Sequence, residues 1–420
     1  MLAGADRPPT DVWAYDGKVP GPTLRLRQGE PVRITVMNQL EQGTTVHWHG
    51  IRLPIAMDGV PGISQAPIAP GQSFTYAFTP PDAGTFWYHP HANSLQQLGR
   101  GLLGALIVEE SEPIAVDRDL TWVVSDWRLQ PDGTVAPGFG NPMEAAMSGR
   151  IGNTVTLNGA AETEQVVRSG ERIRLRLINA SLARIMALRF EGHSPTVVAF
   201  DGQPCEPHSP EGGQLLLGPA MRIDVILDML GEPGRRYVVT DDFYDGLSYA
   251  LTDFAYSKEP AIARRTDASL PTLPPNPLPE PDLASAVRHE LKLQGGMMSG
   301  MGGMSGINHA TWAINGTSMM GDGHAGMPPL LTLKHMQSTV LSLVNETAWW
   351  HPMHLHGHSF KILRRNGVAV PFRQWGDTVL LAPKDTVDCA FVADNPGDWM
   401  LHCLVMDHQV SGLMTVLRVS

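Results

Sequence analysis

The stretch RQGEPVRITVMN at Arg27–Asn38 sets the fold class of this chain, because apolar and polar residues alternate along it and an asparagine ends it. Two diverged copies follow, RSGERIRLRLIN at Arg168–Asn179 and KHMQSTVLSLVN at Lys334–Asn345. A two-residue period is typical of a strand with one buried face. Copies this far apart indicate three similar domains and not a solenoid of short units. We therefore predict an all-β protein built from three related units.

The composition agrees with this architecture. The chain has 420 residues, too many for one ordinary domain, and its 43 glycines and 35 prolines fit frequent turns between strands. A net charge of -11 argues against nucleic acid and anionic membrane surfaces as partners. No apolar run approaches membrane-spanning length. The opening MLAGAD has no basic-then-apolar leader, so we expect any secretion signal to be absent already.

Composition shifts predict the unit boundaries and a few local features. The four predicted segments are a first unit, a second unit, a proline-rich semi-rigid linker and a third unit, at 1–111, 112–265, 266–285 and 286–420. Short helical turns are expected at Ser94–Gly99 and in part of Glu144–Gly149. Cys205 and Cys389 lie far apart in sequence, and we expect two buried thiols there and not a disulfide.

Four histidine-rich clusters carry the chemistry: His47-Trp48-His49, His89-Pro90-His91, His351-Pro352-Met353-His354-Leu355-His356, and His402-Cys403 with His408. Each His-x-His places two imidazoles on one strand face. The neighbours His402 and Cys403 point to opposite faces of their strand. A thiolate with imidazoles suits a blue-copper electron-transfer centre. We therefore predict one copper at Cys403, and electron transfer through the His402 side to a second copper cluster.

The specificity of this pattern comes from the whole set. One His-x-His alone is a weak signal, but these clusters hold nine of the chain's 16 histidines. The segment PDAGTFWYHPH at 81–91 also corresponds to PGDWMLHCL at 396–404, which pairs His91 with Leu404. The second unit has only the isolated His193 and His208, so we predict that it binds no metal and acts as a spacer.

In order and spacing, and over nearly the whole chain, these motifs resemble those of the three-domain multicopper oxidases, the laccase-like and copper-efflux enzymes. The resemblance implies three cupredoxin-like Greek-key β-sandwich domains, with a trinuclear copper cluster between the first and third. It implies three ligand sets: His351, Cys403 and His408 for type 1 copper; His47 and His354 for type 2 copper; and His91, His356 and His402 for one type 3 copper. The other type 3 copper would bind His49, His89 and the residue after Cys403.

Two positions depart from the pattern that the resemblance implies. The residue after Cys403 is Leu404, where histidine is expected, so the second type 3 copper would have only two protein ligands. This change either weakens oxygen reduction or marks a deliberately altered cluster. The type 1 axial position is Leu413, which cannot ligate and would leave a three-coordinate site of raised potential. A shift of one residue would bring Met414 there instead.

The remaining candidates concern protons and substrate. Asp58 is a candidate proton relay near the cluster, although an acid before glycine is nearly as often a simple turn residue. The family's second acid is replaced by Gln409. Four methionines within Met297–Met304 form either a Cu(I) entry patch or a flexible loop, and Met319, Met320, Met327 and His324 would continue the patch.

Two hypotheses of function follow. In the first, the protein oxidises phenols, aromatic amines or Cu(I) at the His351/His408 edge and reduces O2 to water, with Cys403, His402 and Asp58 as the catalytic residues. In the second, the protein binds copper or serves copper tolerance or as a scaffold, with a degraded cluster and little turnover, and Leu404 is its support. The motif set suggests an exported protein, periplasmic or secreted.

Overall fold

The computed structural model describes residues 8–263, 270–297, 312–321 and 324–420. The all-β prediction is confirmed, because strands dominate and the α-helices of the described residues are only four to six residues long. Within these ranges, no helix is both long and apolar enough to cross a membrane. The sheets fall into three groups along the chain, and the exact boundaries at 111, 265 and 285 stay predictions.

The first unit has a four-stranded sheet in the order β1-β6-β5-β3 and a two-stranded β2-β4 ribbon. Its strands are β1 Gly21–Arg27, β2 Val32–Met37, β3 His47–His49, β4 Ser73–Phe78, β5 Gly84–His89 and β6 Gly104–Glu109. Helix α1 spans Ser94–Gly99, as predicted, and a 3-10 turn spans Ile55–Met57. The ordering of β3 beside β5 brings two histidine clusters to the same end of the sheet.

The second unit is a sandwich of two sheets, ordered β13-β12-β15-β10-β7-β8 and β14-β11-β16-β17-β9. Its strands are β7 Arg118–Trp127, β8 Thr154–Leu157, β9 Glu164–Val167, β10 Arg172–Asn179, β11 Met186–Phe190, β12 Thr196–Phe200, β13 Gln203–His208, β14 Leu215–Leu217, β15 Arg222–Asp228, β16 Arg236–Asp241 and β17 Tyr249–Tyr256. Helix α2 spans Pro142–Ala145 and a 3-10 turn spans Glu211–Gly213.

The third unit has one sheet ordered β19-β18-β22-β28-β24-β25, with β26 paired to β24, a second ordered β21-β31-β29-β23-β27, and a β20-β30 pair. Its strands are β18 Val287–Gly295, β19 Trp312–Ile314, β20 Met319–Met320, β21 Leu331–Leu333, β22 Ser338–Asn345, β23 His351–Leu355, β24 Phe360–Arg365, β25 Val368–Ala369, β26 Trp375–Gly376, β27 Thr378–Leu381, β28 Thr386–Val392, β29 Gly397–Cys403, β30 Ser411–Gly412 and β31 Met414–Val419. Helix α3 spans Met406–Val410.

The second helix overlaps the predicted segment, whereas the third was not predicted. Helix α2 spans Pro142–Ala145 and thus includes part of Glu144–Gly149, as predicted, although it begins two residues earlier; the Asn141 side chain caps its first turn. Helix α3 follows the cysteine motif and was not predicted, because its single turn carries no side-chain cap or helical period. This turn folds His408 back toward Cys403, which a continued strand would not do.

The burial of the repeat differs among its three copies, and β22 of the third copy alternates between buried and partly buried residues only in its second half. Strand β2 alternates between partly buried and exposed residues, as predicted. Strand β10 is buried along its whole length, because its alternating arginines form ion pairs in place of contacts with water. Arg174 Nη2 lies 2.7 Å from Asp224 Oδ2, and Arg176 Nε lies 2.7 Å from Asp119 Oδ1. Buried charges of this kind require such partners.

Each unit has its own apolar core, and a further cluster joins all three. That junction includes Trp87 of the first unit, Ile178 of the second and Leu404 of the third. In the predicted linker, Asn276 bonds to Ala83 of the first unit and Gln203 of the second, so it holds these two units together. Cys205 and Cys389 are buried free thiols, and the prediction of no disulfide between them is confirmed.

Candidate metal centres

Three side chains of the third unit bring their donor atoms together around Cys403. The Cys403 Sγ lies 3.6 Å from His351 Nδ1 and 3.7 Å from His408 Nδ1, and the two nitrogens are 3.2 Å apart. All three side chains are fully buried. His351 begins β23, Cys403 ends β29, and α3 supplies His408. The sequence predicted this trio, and the structure places its members as one possible metal site.

The outer nitrogens of both histidines are held in place, so that the inner ones are free for a metal. His351 Nε2 is hydrogen-bonded to Thr347 Oγ1 at 2.8 Å, and His408 Nε2 donates to the carbonyl of Met147 at 2.7 Å. Burial lowers the pKa of His408 to about 3 and that of His351 well below its usual value. Both rings are therefore neutral, the form that binds metals. Burial also raises the pKa of the Cys403 thiol, so a bound cation is needed for the thiolate.

The His351/His408 edge, where we predict that electrons enter, lies beneath a covering of protein. Neither imidazole is exposed to solvent. The indole of Trp312 lies 4.2 Å from the His408 ring and 4.9 Å from the His351 ring, centroid to centroid. Met147, from the second unit, covers His408 through its carbonyl. A donor molecule therefore meets this protein covering before it reaches either histidine.

Leu413 and Met414 lie on opposite faces of their sheet. Leu413 shares an apolar cluster with Cys403, and its carbonyl accepts the Cys403 N–H at 3.0 Å. Met414 pairs with His402 across β29 and β31 and packs with Met400 in a different cluster. Met414 thus packs on the far side of the strand from Cys403, whereas Leu413 shares the apolar cluster of Cys403.

The predicted histidines on the other side of β29 gather into a second site, which we call the seven-histidine site. Its members are His47, His49, His89, His91, His354, His356 and His402. Strand pairing sets their register: His47 lies opposite His89, and His354 lies opposite His402. The donor atoms of this site form three groups, each within 4.8 Å: His47, His49 and His354; His91, His356 and His402; and His47, Asp58 and His356. The first and third units supply every member, so the site lies between them.

The ring nitrogens of this site fit bound metal ions. Outer nitrogens are bonded to the protein: His47 Nδ1 to the Asp58 carbonyl at 2.8 Å, His89 Nδ1 to the Pro90 carbonyl at 3.0 Å and His402 Nδ1 to the Cys403 carbonyl at 2.9 Å. Other nitrogens have no partner among the described residues, namely His47 Nε2, His49 Nδ1, His89 Nε2, both nitrogens of His91, and His354 Nε2. Hydrogen bonds to the outer nitrogen orient metal-binding imidazoles, and a buried nitrogen without a protein partner fits a bound cation.

Asp58 contacts two of these histidines directly. Its Oδ2 accepts from His356 Nδ1 at 2.9 Å, and its Oδ1 lies 3.3 Å from His47 Nδ1. The side chain is buried. Burial would raise the pKa of the carboxyl, but the neighbouring His356 and His47 imidazoles lower that pKa below its usual value. Asp58 thus closes the 3-10 turn at Ile55–Met57, as a turn residue would, and it also contacts two imidazoles of the second site.

His89 is the predicted ligand that does not have two further donor atoms close by. Among the described residues, no group of three close donors includes it. Leu404, at the position where histidine was expected, is fully buried in the apolar junction with Trp87. The Trp87 indole stacks on His89 at 4.2 Å. This side of the site is therefore apolar where a third imidazole would complete it.

Asp377 is a site residue that the sequence did not predict. Its Oδ1 lies 3.3 Å from His49 Nε2 and 3.1 Å from His354 Nδ1. It lies between the short strands β26 and β27 and outside every histidine cluster, so the only signal in the sequence was an acid within an apolar stretch. Gln409, where a second acid was expected, is buried with both polar side-chain atoms unpartnered.

The predicted methionine patch is only partly described. Met298, Met301 and Met304 lie outside the described residues, whereas Met297 is partly exposed and its N–H donates to the Ala146 carbonyl at 2.7 Å. Met319 is a buried core residue, with Met327 packed against the same cluster. The surface patch therefore does not extend through these two residues, although Met320 is exposed.

Comparisons with known proteins agree with this geometry. Three family models, each described as multicopper oxidase, match residues 3–113, 118–255 and 303–420. The multicopper oxidase MmcO of Mycobacterium tuberculosis is 30% identical, over 96% of this chain and 82% of its own length. The chain belongs to the multicopper oxidase family. This oxidase is also similar to solved structures.

Two solved structures illustrate the likeness. A multi-copper oxidase from Pseudomonas thermotolerans is 35% identical with a TM-score of 0.87, and the match covers 100% of this chain and 96% of that one. A multicopper oxidase from Campylobacter jejuni, described as a metallo-oxidase, is 25% identical with a TM-score of 0.81, over 98% and 87% of the two chains. The prediction of cupredoxin-like domains is confirmed. As a multicopper oxidase, the protein takes type 1, type 2 and type 3 copper as cofactors.

Proposed function

We propose that this multicopper oxidase couples the one-electron oxidation of Cu(I), or of phenols and aromatic amines, to the reduction of O2 to water. The supporting observation is the juxtaposition of His402 and Cys403. Cys403 Sγ belongs to the trio with His351 and His408, whereas His402 Nε2 lies 2.9 Å from His356 Nε2 in the second site. When bound, type 1 copper accepts single electrons and the trinuclear copper reduces O2. A single peptide bond, between His402 and Cys403, therefore links the two sites.

The proposed ligand sets follow the resemblance and the geometry. The type 1 site comprises His351, Cys403 and His408, with Leu413 on the axial side, which supports a three-coordinate site of raised potential. The proposed ligands of the trinuclear site are His47 and His354 for type 2 copper, His91, His356 and His402 for one type 3 copper, and His49 with His89 for the other. Asp58 is the proposed proton relay.

The covering of the type 1 site favours Cu(I) as the donor. The Trp312 ring packs against His408 and the Met147 carbonyl accepts from its Nε2, so a phenol ring would have to displace one of these contacts to touch this imidazole. Met147 and Met297 belong to this covering, because Met297 N bonds to the carbonyl of Ala146 and its own carbonyl accepts from Trp349 Nε1. Thioethers favour Cu(I) among copper ions. The Campylobacter relative is likewise described as a metallo-oxidase.

Oxygen uptake with Cu(I) and with a substituted phenol tests this proposal. We expect uptake with both donors and a higher kcat/KM with Cu(I). Replacing Met297, Met298, Met301 and Met304 by leucine is expected to lower the kcat/KM for Cu(I) about tenfold and to leave the phenol rate unchanged. Tenfold is the lower end of the effect usual for losing a residue that supports a metal site. Met37→Leu, an exposed methionine of the first unit, is the control. Unchanged Cu(I) oxidation in the fourfold variant would reject the methionine patch.

The second candidate, a copper-binding protein with little turnover, is favoured only by Leu404. Copper analysis with oxygen uptake separates the two functions. A blue protein that lacks copper at the seven-histidine site and consumes no oxygen would be the copper-binding protein. The donor atoms of most other predicted ligands lie close together in groups of three, which supports the oxidase.

Replacing Leu404 by histidine is expected to raise copper content by about one ion per chain and turnover by about ten- to a hundredfold. The new imidazole would add a third donor beside His49 and His89, where Leu404 now packs near Trp87. Copper analysis and oxygen uptake on the purified variant measure both effects. Leu404→Gln, polar and of similar size, is the control. If neither quantity rises with histidine, position 404 does not face this copper.

We further infer that the protein acts outside the cytoplasm, in the periplasm or as a secreted protein. The support is its copper chemistry, which suits an exported protein that handles redox-active metal. Its expected partners are a small-molecule donor and O2, with no nucleic acid and no membrane surface. Fractionation of the native producer with an antibody against the folded chain tests the compartment.

A further inference from the structure

Asp377 lies behind two proposed copper ligands that come from different units. Its Oδ1 is 3.3 Å from His49 Nε2 of the first unit and 3.1 Å from His354 Nδ1 of the third. The Asp377 carbonyl also accepts from His354 Nδ1 at 2.9 Å, and Thr378 Oγ1 donates to Oδ1 at 2.8 Å. A carboxylate only accepts hydrogen bonds, so it selects the ring tautomers with hydrogen on these two nitrogens.

The opposite nitrogens of these two rings are then left for copper. His49 Nδ1 and His354 Nε2 are buried and have no hydrogen-bond partner within the part of the chain that the structure describes. The rings of His49 and His354 stack, with centroids 3.8 Å apart and an interplanar angle of 19°. One carboxylate thus sets the protonation and the orientation of a stacked pair that the resemblance divides between type 2 and type 3 copper.

Arg222 fixes this carboxylate from the second unit. Its Nη1 donates to Asp377 Oδ1 at 2.9 Å and its Nη2 to Oδ2 at 2.6 Å, a two-pronged contact. Both side chains are fully buried. The remaining Arg222 donors bond to the carbonyls of Thr85, Asp201 and Ala220. The guanidinium therefore has no freedom to turn away from Asp377.

Asp201, also in the second unit, completes the connection. Its Oδ1 accepts the Arg222 backbone N–H at 2.9 Å, and its Oδ2 accepts the Thr378 N–H at 3.0 Å. Gly50, next to His49, permits this close packing: a Cβ there would lie 2.5 Å from Asp377 Oδ2. All three units therefore meet at a few charged groups directly behind the proposed copper ligands.

We propose that Arg222 is a positioning residue for the trinuclear copper site, which acts by holding Asp377 so that His49 and His354 present their free nitrogens to copper. The second unit, predicted to be a spacer, thus takes part in building the metal site although it supplies no ligand. This inference rests on the proposed copper function of the seven-histidine site.

Arg222→Lys tests the proposal, because lysine keeps the charge but not the two-pronged geometry. We expect the variant to lose type 2 copper to a chelator about ten- to a hundredfold more readily than the natural protein. The type 2 signal in electron paramagnetic resonance is expected to weaken, whereas the blue type 1 absorbance stays unchanged. Copper analysis before and after chelation gives the same result without an activity assay.

Arg174→Lys is the matched control. Arg174 is equally buried in the second unit and donates from Nε and Nη2 to Asp224, but it contacts no proposed ligand. Its replacement is expected to lower thermal stability like Arg222→Lys and to leave the type 2 signal unchanged. Equal loss of type 2 copper in both variants, or none in Arg222→Lys, would overturn the proposal.

Asp377→Asn gives a second test should Arg222→Lys fail to fold. Asparagine has nearly the same shape as aspartate but places an amide donor toward the imidazoles, so the type 2 signal is expected to weaken here too. A full-strength signal in Asp377→Asn would contradict the proposal. If the natural protein itself shows no copper at the seven-histidine site, the proposed function fails before the role of Arg222 is tested.

Discussion

Cys403→Ser is expected to remove the blue absorbance and to reduce oxygen uptake to the level of the buffer control with either donor. Cys403 is the thiolate candidate within the His351 and His408 trio, and serine binds copper poorly at such a soft site. The peptide that joins Cys403 to His402 is also the shortest protein connection between the two sites. The seven-histidine site does not use the sulfur, so its type 2 signal is expected to remain.

Cys389→Ser is the control for this experiment. Cys389 is a buried thiol of the same unit, in β28, and none of the candidate metal groups found among the described residues includes it. Its replacement is expected to leave the colour and the oxygen uptake unchanged. A Cys403→Ser protein that stays blue, or one that loses the type 2 signal as well, would contradict the division into two sites.

Asp58→Asn is expected to lower oxygen uptake about a hundredfold or more while the blue absorbance and its rate of bleaching by an anaerobic donor stay unchanged. Asparagine keeps the size of the side chain and an oxygen that can accept from His356 Nδ1, but it cannot carry a proton. Reduction of O2 to water consumes protons, and Asp58 is the acid in contact with His356 and His47. Steady-state oxygen uptake and stopped-flow bleaching measure the two steps separately.

Asp82→Asn is the control for the loss of a buried carboxylate in the same unit. Asp82 is as buried as Asp58 but pairs with Arg52, away from the histidines. We expect it to lower stability without a selective loss of oxygen uptake. Full oxygen uptake in Asp58→Asn would contradict a role in proton supply, and loss of copper from this variant would show that Asp58 holds the copper ligands instead.

The sequence predicted the fold class and the ligand clusters because both have local signatures. Alternation along Arg27–Asn38 indicates a strand, and the spacing of His354 and His356 indicates a shared face. Other features depend on contacts between distant segments. Strand β10 is buried on both faces because Asp224 and Asp119 pair with its arginines, and no local pattern shows that these acids will be adjacent.

The departures at the metal sites have the same origin. The His351/His408 edge is covered by Met147 from the second unit and by Trp312, neither of which belongs to a histidine cluster. The contact of Arg222 with Asp377 joins two units across a long stretch of chain. The sequence left open whether Leu413 or Met414 lies beside Cys403, because this depends on the strand register. The pairing of Met414 with His402 gives that register.

The distribution of the second site between the first and third units has a consequence for maturation. His47 emerges from the ribosome long before His402, so the pocket between them cannot form until the third unit has been synthesised. Metal incorporation at this site therefore cannot begin on the first unit alone. Copper therefore enters this site either after the first and third units have docked or while these units are still apart.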